Sequence, residues 1–411
     1  MAHSKREVIE ENECEGHKMK NSLNAFLRLN WRISSFIVIT FSIIFANSAQ
    51  AAPAVGSVSG TVAGGQTITI TGTGFGTTGP TIKVFDDFEK GANGNTIYTG
   101  AGSAQVGQWD AIGGYPAGIK YSSAYKRSGN LSYVQNWSSD NGAEGDRWVG
   151  IHSLGGATQI YMSWWAFIPT GVNVPGTQRG NLDPGGGPNW KIFWLYHNPY
   201  PASDFTSTFL SNTLPTRGAW FVGAGNDMSP ARIDSGWNYD TSFIKGQWSR
   251  WEVYITGSTT SGILQFFETN ASRTRNRLVN LSGVTMHTGE TWDIVHFPGY
   301  GRGDQNSQTY YDDIYVATGP GALSRVEIGN NSAYSSCTNL AVITPTSWSS
   351  NSITATVRQG AFTAGSSAYL FVVDSTGAVS PGYPVTIGSG SNPAPAPSQV
   401  SAPTGLRVIS N

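Results

Sequence analysis

The chain has 411 residues, with 51 glycines, only 25 Lys+Arg and 26 Asp+Glu, a formal net charge of −1, and 12% aromatic residues. So little charge beside so many rings excludes intrinsic disorder, and the composition is far from that of a coiled coil or helical bundle. A net charge near zero gives no footprint for phosphate-driven nucleic-acid binding.

Residues 1–51 read as a secretory signal peptide. Arg28 and Arg32 precede an apolar run from Ile33 to Ala46, and Asn47-Ser48-Ala49-Gln50-Ala51 closes on an Ala-x-Ala cleavage pattern. The run is shorter than the roughly 20 residues that span a bilayer as a helix, so cleavage is preferred to a retained anchor. Met19 is an alternative start. The expectation is a secreted or cell-surface protein with no membrane span after cleavage. Beyond the leader only Cys337 remains, so no intrachain disulfide can form.

From 52 to 84 the chain alternates Thr and Ile between glycines (Gln66-Thr67-Ile68-Thr69-Ile70-Thr71-Gly72), the signature of a strand with one buried face. Residues 85–319 hold 12 of the 14 tryptophans. Strands are expected there at 159–168, 190–196, 248–255, 262–269 and 310–316, divided by Gly, Pro and Asn clusters, with no 3.6-residue period. Such a pattern predicts an all-β sandwich or jelly roll. From 320 to 388 short Thr/Ser/Val strands return, such as Ser352–Val357 and Ala368–Val373. Residues 389–411 read as a Pro/Ser-rich linker and tail.

Several of these segments resemble known families. GGQTITITGTGFG at 64–76 resembles the opening strands of an IPT/TIG domain, an immunoglobulin-like sandwich, and the 320–388 segment resembles its second half. Neither half alone supplies about seven strands, so one split sandwich with an inserted domain is expected. The insert opens with Phe85-Asp86-Asp87-Phe88-Glu89 and closes with Tyr311-Asp312-Asp313-Ile314-Tyr315. With GQWSRWEVYI and SGILQFFET between them, it resembles a concanavalin A-like (laminin-G/glucanase-type) jelly roll. That superfamily binds or cleaves polysaccharides. The tail from Ser401 resembles the first strand of a fibronectin type III module.

Alternation along 248–255 puts Trp251, Val253 and Ile255 on one face and Trp248, Arg250, Glu252 and Tyr254 on the other. Rings that stack on sugar faces, beside charged groups that bond hydroxyls, make the second face a candidate glycan-binding surface. Lys191 and His197 are assigned to the matching face of 190–197, together with Phe193 and Leu195. The competing reading is an Arg250–Glu252 ion pair on a solvated sheet. A lyase acting on an acidic glycan would take His197 or Tyr254 as base and Arg250 or Lys191 as neutraliser of the uronate carboxylate. The Gln-Ile-His and Tyr-x-Lys-x-Gly signatures of jelly-roll alginate lyases are missing. A glycoside hydrolase is disfavoured further, because the Glu-x-Asp-x-x-Glu pattern of jelly-roll glucanases is also missing. The resemblance implies a structural Ca²⁺ where first and last strands meet, with Asp87, Glu89 and Asp313 as ligands. The four histidines after the leader show no zinc spacing. The expected function is polysaccharide binding on an aromatic concave face. A lyase and a structural surface or appendage component are the alternatives, and the expected partner is a polysaccharide or cell-surface glycan.

Overall fold

The computed structural model describes residues 52–114, 118–136, 144–172, 190–196, 205–211, 217–221, 228–229, 238–286, 291–297, 300–302 and 308–389. The expected signal peptide (1–51), His197 and the tail beyond 389 lie outside them. Strands follow one another along the described chain. The first group is β1 (Ala54–Ser59), β2 (Thr67–Thr73), β3 (Thr81–Asp86), β4 (Val106–Gly107), β5 (Ala111–Gly114), β6 (Ile119–Ser122), β7 (Ser132–Asn136), β8 (Glu144–Ile151) and β9 (Gln159–Phe167). Next come β10 (Trp190–Tyr196), β11 (Phe205–Ser211), β12 (Arg217–Phe221), β13 (Met228–Ser229), β14 (Asn238–Ile244), β15 (Trp248–Thr256), β16 (Gly262–Asn270) and β17 (Arg273–Met286). The last are β18 (Ile294–Phe297), β19 (Tyr300–Arg302), β20 (Gln308–Thr318), β21 (Arg325–Gly329), β22 (Leu340–Trp348), β23 (Ser352–Thr356), β24 (Ser367–Val373) and β25 (Tyr383–Thr386).

The two ends of the chain build one immunoglobulin-like sandwich. Its seven strands run β1-β2-β23-β22-β21-β24-β25. Ile68 and Ile70 on β2 pair with Ala355 and Ile353 on β23, and all four are buried with Val326, Ile343, Leu370 and Val372. Strand β22 joins the two halves of the sandwich. Leu340 to Ile343 pair with β21, while Thr344 to Trp348 pair with β23. The register breaks between Pro345 and Ser347, where Pro345 has no N–H to give the ladder.

Between these halves lies a jelly roll of two facing antiparallel sheets. One has ten strands, with the path β13-β17-β16-β15-β9-β20-β3-β4 and β7 and β6 joined to it. The other has eight, with the path β14-β12-β11-β10-β18-β8-β19 and β5 on β8. Their facing sides close on a single core that includes Trp164, Trp251, Val253 and Ile255 from the first sheet and Val149, Phe193, Leu195, Val295 and Phe297 from the second. The strands that enter and leave the insert lie side by side. Thr81 pairs with Thr318, Ser324 Oγ donates to the Thr78 carbonyl at 2.7 Å, and a Cβ on Gly321 would strike the Gly79 backbone. An insert whose ends meet can be added to a sandwich without opening it.

The outer side of the ten-stranded sheet is covered by the smaller sandwich. Tyr161, Tyr254 and Tyr315 from the sheet cluster with Ala322 and Val342 from the other side of the junction. Among the described residues, no helix is long and apolar enough to cross a membrane.

Candidate functional site

Strand β15 sorts its side chains by parity as alternation demands. Trp251, Val253 and Ile255 are wholly buried in the core, and Arg250, Glu252 and Tyr254 point away from it. The outward face is nevertheless not an open glycan surface. Arg250 and Glu252 are 1% and 0% exposed, because β21 of the smaller sandwich lies against them. Arg250 pairs with Glu252 at 2.7 Å and with Glu327 across the junction. Arg275 closes on Glu252 at 2.6 Å and Arg325 on Glu327 at 3.0 Å. Tyr161 donates to Glu252 at 3.1 Å and Tyr334 to Glu327 at 2.5 Å. Burial pushes the Glu252 carboxyl up, but Arg250, Arg275 and Arg325 together outweigh it and hold it at about 2. Glu327 is likewise held below the usual range, Arg250 and Arg325 overcoming its burial. In place of either the expected glycan-binding face or the competing solvated pair there is a buried network of three guanidinium groups and two carboxylates. Trp248 sits apart from it, its ring 5.5 Å from Phe167 in a cluster with Val134 and Tyr310.

The face assigned to Lys191 and His197 also differs. Phe193 and Leu195, expected to share it, belong to the core, and Ile192 is buried beside them. Phe193 and Leu195 do share one face, opposite Trp194 and Tyr196, but it is the core face, and the pairing with β11 slips between Lys191 and Trp194, where Ile192 joins the core as well. Trp194 and Tyr196 consequently carry the outer side of the eight-stranded sheet, while Lys191 is described only by its backbone opposite Phe209.

That outer side holds a strip of rings that the sequence reading did not assemble. On β8, Val149 and Ile151 enter the core, which turns Trp148, Gly150 and His152 outward. The His296 ring stacks on Trp148 with centroids 3.4 Å apart and planes 6° from parallel. Tyr196 lies 5.4 Å from His296, and Trp194 meets Tyr196 edge-on at 5.1 Å. Two glycines make room for the flat rings. His296 pairs with Gly150, where a Cβ would come within 2.8 Å of its Cδ2, and Trp148 pairs with Gly113, where a Cβ would strike the indole. Trp148 and His296 form the buried base, while Trp194 and His152 are half-buried. The signal was present in Trp148-Val149-Gly150-Ile151-His152, which alternates as cleanly as β15.

His152 and His296 bring their Nε2 atoms to 2.9 Å. Burial lowers both from the usual imidazole value, well below it for His296, where the neighbouring His152 adds to the effect. Two neutral rings at this distance share one hydrogen bond, one donating and the other accepting. Asp110 holds the His152 segment by accepting from its N–H at 2.6 Å and from Ser153 Oγ at 2.5 Å.

The acids expected to hold Ca²⁺ do not form one site. Glu89 spends its carboxylate on a loop, accepting from the N–H groups of Asn130 and Leu131, each at 2.6 Å, and from Asn130 Nδ2 at 3.2 Å. Asp87 accepts from Gln105 Nε2 at 2.6 Å. Asp313 occupies a bulge with φ of 48°, strained for most side chains but tolerated by Asp, and accepts from Ser128 Oγ at 2.9 Å. Its Oδ2 is buried without a hydrogen-bond partner among the described residues. Burial first and then the Asp87 charge raise Asp313 to about 6, opposed by Arg127. Arg358 feels both Asp87 and Asp313. Arg127 and Arg358 thus contribute positive charge near these aspartates, and among the described residues no three His, Cys, Asp or Glu side chains are placed to hold a metal ion. The named trio does not fit a calcium site.

Residues 53–131 match the IPT/TIG domain family. The match runs past Thr81, where the chain leaves the smaller sandwich for the ten-stranded sheet, so the pairing of β2 with β23 closes the immunoglobulin-like domain. The chain thus carries a partial match to that family, within an immunoglobulin-like sandwich split by a jelly roll. No curated protein matches it in sequence. Among solved structures it is similar to the catalytic domain of a GH131 β-glucanase from Podospora anserina, at 14% identity and TM-score 0.34, covering 58% of this chain and 96% of that one. The glycoside hydrolase family 131 domain from Coprinopsis cinerea gives 13% and 0.33, covering 58% and 95%. Lectin I from Ulex europaeus, in complex with a methyl glycoside of α-L-fucose, gives 13% and 0.29, covering 48% and 91%. At these scores function has to be read from the side chains.

Proposed function

We propose that the protein binds carbohydrate on the ring strip formed by Trp148, His152, Trp194, Tyr196 and His296. One observation carries this reading: rings from three neighbouring strands cluster over two glycines, with the half-buried Trp194 indole and His152 imidazole at the surface of a base made by Trp148, Tyr196 and His296. Sugars present a matching combination, an apolar C–H face ringed by hydroxyls. A secreted or cell-surface setting and a glycan partner belong to the same proposal. The test is retention on a panel of neutral and acidic glycans, followed by titration of Trp194→Ala against the best of them. Loss of a half-buried anchoring indole is expected to weaken binding about 30-fold, equivalent to about 2 kcal/mol. Retention of no glycan, or an unchanged affinity in the variant, refutes the proposal and leaves a structural surface role.

A second reading, a lyase acting on an acidic glycan, is favoured by the His152–His296 pair. A neutral, half-buried imidazole can accept a proton and pass it along its hydrogen bond. Of the bases expected from sequence, Tyr254 lies on the other sheet, against the smaller sandwich, and His197 lies outside the described residues. Turnover of uronate polysaccharides would be read as ultraviolet absorbance of the unsaturated product. Its absence with wild-type protein removes this reading and leaves binding.

A further inference from the structure

Where the ten-stranded sheet meets the smaller sandwich, a cleft of about 430 Å³ opens beside the buried ion network. Its walls include Tyr254, Phe267, Arg275 and Arg277 from the jelly roll and Arg325 and Tyr334 from across the junction. The volume lies within the range of small-ligand sites, about 300–1,000 Å³. Among the described residues that line it there is no carboxylate.

The charge of this junction is unbalanced. Among the described residues, Arg250, Arg275 and Arg325 form their ion pairs with Glu252 and Glu327. Arg250 and Arg325 are spent on protein partners. Arg325 donates through Nε to Glu327, through Nη1 to the Leu323 carbonyl at 2.8 Å, and through Nη2 to Tyr334 Oη at 2.9 Å. Arg275 differs, because only its Nε bonds to a described residue, Glu252. Its guanidinium lies flat on the Phe267 ring at 3.6 Å, with its side chain 18% exposed. Arg277, two residues along β17 and opposite Phe267, is exposed at the same wall. A guanidinium fork with unspent donors, held flat by a ring and seconded by a free cation, is suited to a planar carboxylate. The remaining wall supplies the hydroxyl of Thr376, the amide of Gln265 and the ring of Tyr254, which match hydroxyls and a sugar face.

We propose that this cleft is a second binding site, taking a carboxylate-bearing sugar residue, a uronate, with its acid group on Arg275 and Arg277. The site is separate from the ring strip, which lies on the outer side of the other sheet. Its existence does not rest on the function proposed there.

The test is calorimetric titration of the full chain with a glucuronate-terminated disaccharide, the corresponding glucose disaccharide, and acetate. Arg277→Gln is the variant to use, because Arg277 is exposed and outside the ion network, so the fold is retained. The uronate disaccharide is expected to bind and the glucose disaccharide to bind at least tenfold more weakly. Acetate should be weaker still, and R277Q should weaken the uronate about tenfold by removing a charge-assisted contact. Rising salt should weaken the uronate alone. Equal binding of the acidic and neutral sugars, acetate binding as well as the uronate, an unchanged affinity in R277Q, or no uronate binding each overturns the proposal.

Discussion

The junction network makes a prediction that depends on counting its charges. Arg250, Arg275 and Arg325 against Glu252 and Glu327 leave the wild-type cluster one positive charge in excess. Arg250→Met removes that excess, fills much of the space of the arginine stem, and leaves Glu252 with Arg275 and Glu327 with Arg325 and Tyr334. Glu327→Gln keeps the shape but leaves three guanidinium groups around one carboxylate, two charges in excess. Removing one partner of a buried pair costs about 3–5 kcal/mol, chiefly through the charge left behind. E327Q therefore belongs at the upper end of that range and R250M at or below its lower end. The double variant returns the cluster to one excess charge and should cost less than the sum of the singles, by about 0.5–3 kcal/mol. Urea unfolding at neutral pH, with the slope checked for constancy, measures all three. The reasoning fails if R250M costs as much as E327Q, or if both cost under about 1 kcal/mol, the value of a solvated surface pair.

Acid should destabilise the fold in two stages. His152 and His296 titrate below the usual imidazole value when folded, so their contribution is complete above about pH 6.5 and is lost as pH falls from there toward their folded values. Glu252, at about 2 when folded against 4.5 when free, contributes above about pH 4.5 and loses that contribution as pH falls toward 2. Denaturation midpoints across this span check both stages, and a midpoint flat from pH 7 to pH 3 contradicts them. Gly150→Ala should cost about 1–3 kcal/mol, because its Cβ would meet the Val295 carbonyl and His296 Cδ2, each at 2.8 Å, and it should reduce glycan retention as the imidazole is displaced. Cys337 is buried beside Leu340 and Phe371, and burial pushes its thiol up, so alkylation should follow unfolding only; labelling of native protein at the rate of a free thiol would contradict this. Added calcium should leave the thermal midpoint unmoved, since Arg127 and Arg358 already contribute positive charge near Asp87 and Asp313; a rise of several degrees would restore the cation site.

Period-two alternation made the fold readable. Ile68, Ile70, Trp251, Val253 and Ile255 are core because every second residue of their strands is apolar, and that needs no knowledge of the partner strand. The same rule placed Arg250, Glu252 and Tyr254 on the opposite face correctly, yet parity does not say what covers a face. Only the pairing of distant segments brings Glu327 of β21 onto Arg250 of β15. Strand β10 failed for a local reason. Alternation separated Phe193 and Leu195 from Trp194 and Tyr196 correctly, but with large apolar rings on both faces parity does not say which face is the core, and the irregularity that also buries Ile192 is not announced in Trp190-Lys191-Ile192-Phe193-Trp194. Glu89 misled in a third way, because an acid beside two aspartates reads as a ligand until the backbone N–H groups of Asn130 and Leu131 claim one oxygen of its carboxylate and the Asn130 side-chain amide the other.

The position of the ion network bears on how the two sandwiches work together. The insert is tethered at one place, where β3 and β20 leave side by side, and a single hinge of that kind would let a jelly roll swing. Apolar contacts at the junction, Tyr161, Tyr254 and Tyr315 against Ala322 and Val342, resist separation but tolerate sliding. Arg250 must satisfy Glu252 on its own strand and Glu327 on the other sandwich at once, and a shift of an ångström or two would strand a buried charge at the cost described above. The ionic contacts therefore fix orientation where the apolar ones supply adhesion. With the outer face of the ten-stranded sheet given over to this joint, the eight-stranded sheet is left to carry the Trp148–Trp194 strip on the far side. The smaller sandwich holds the jelly roll without reaching across its ring platform. Cutting the ionic link by E327Q should consequently disturb the cleft at the junction first and leave glycan retention on the strip close to wild type in whatever fraction of the protein stays folded.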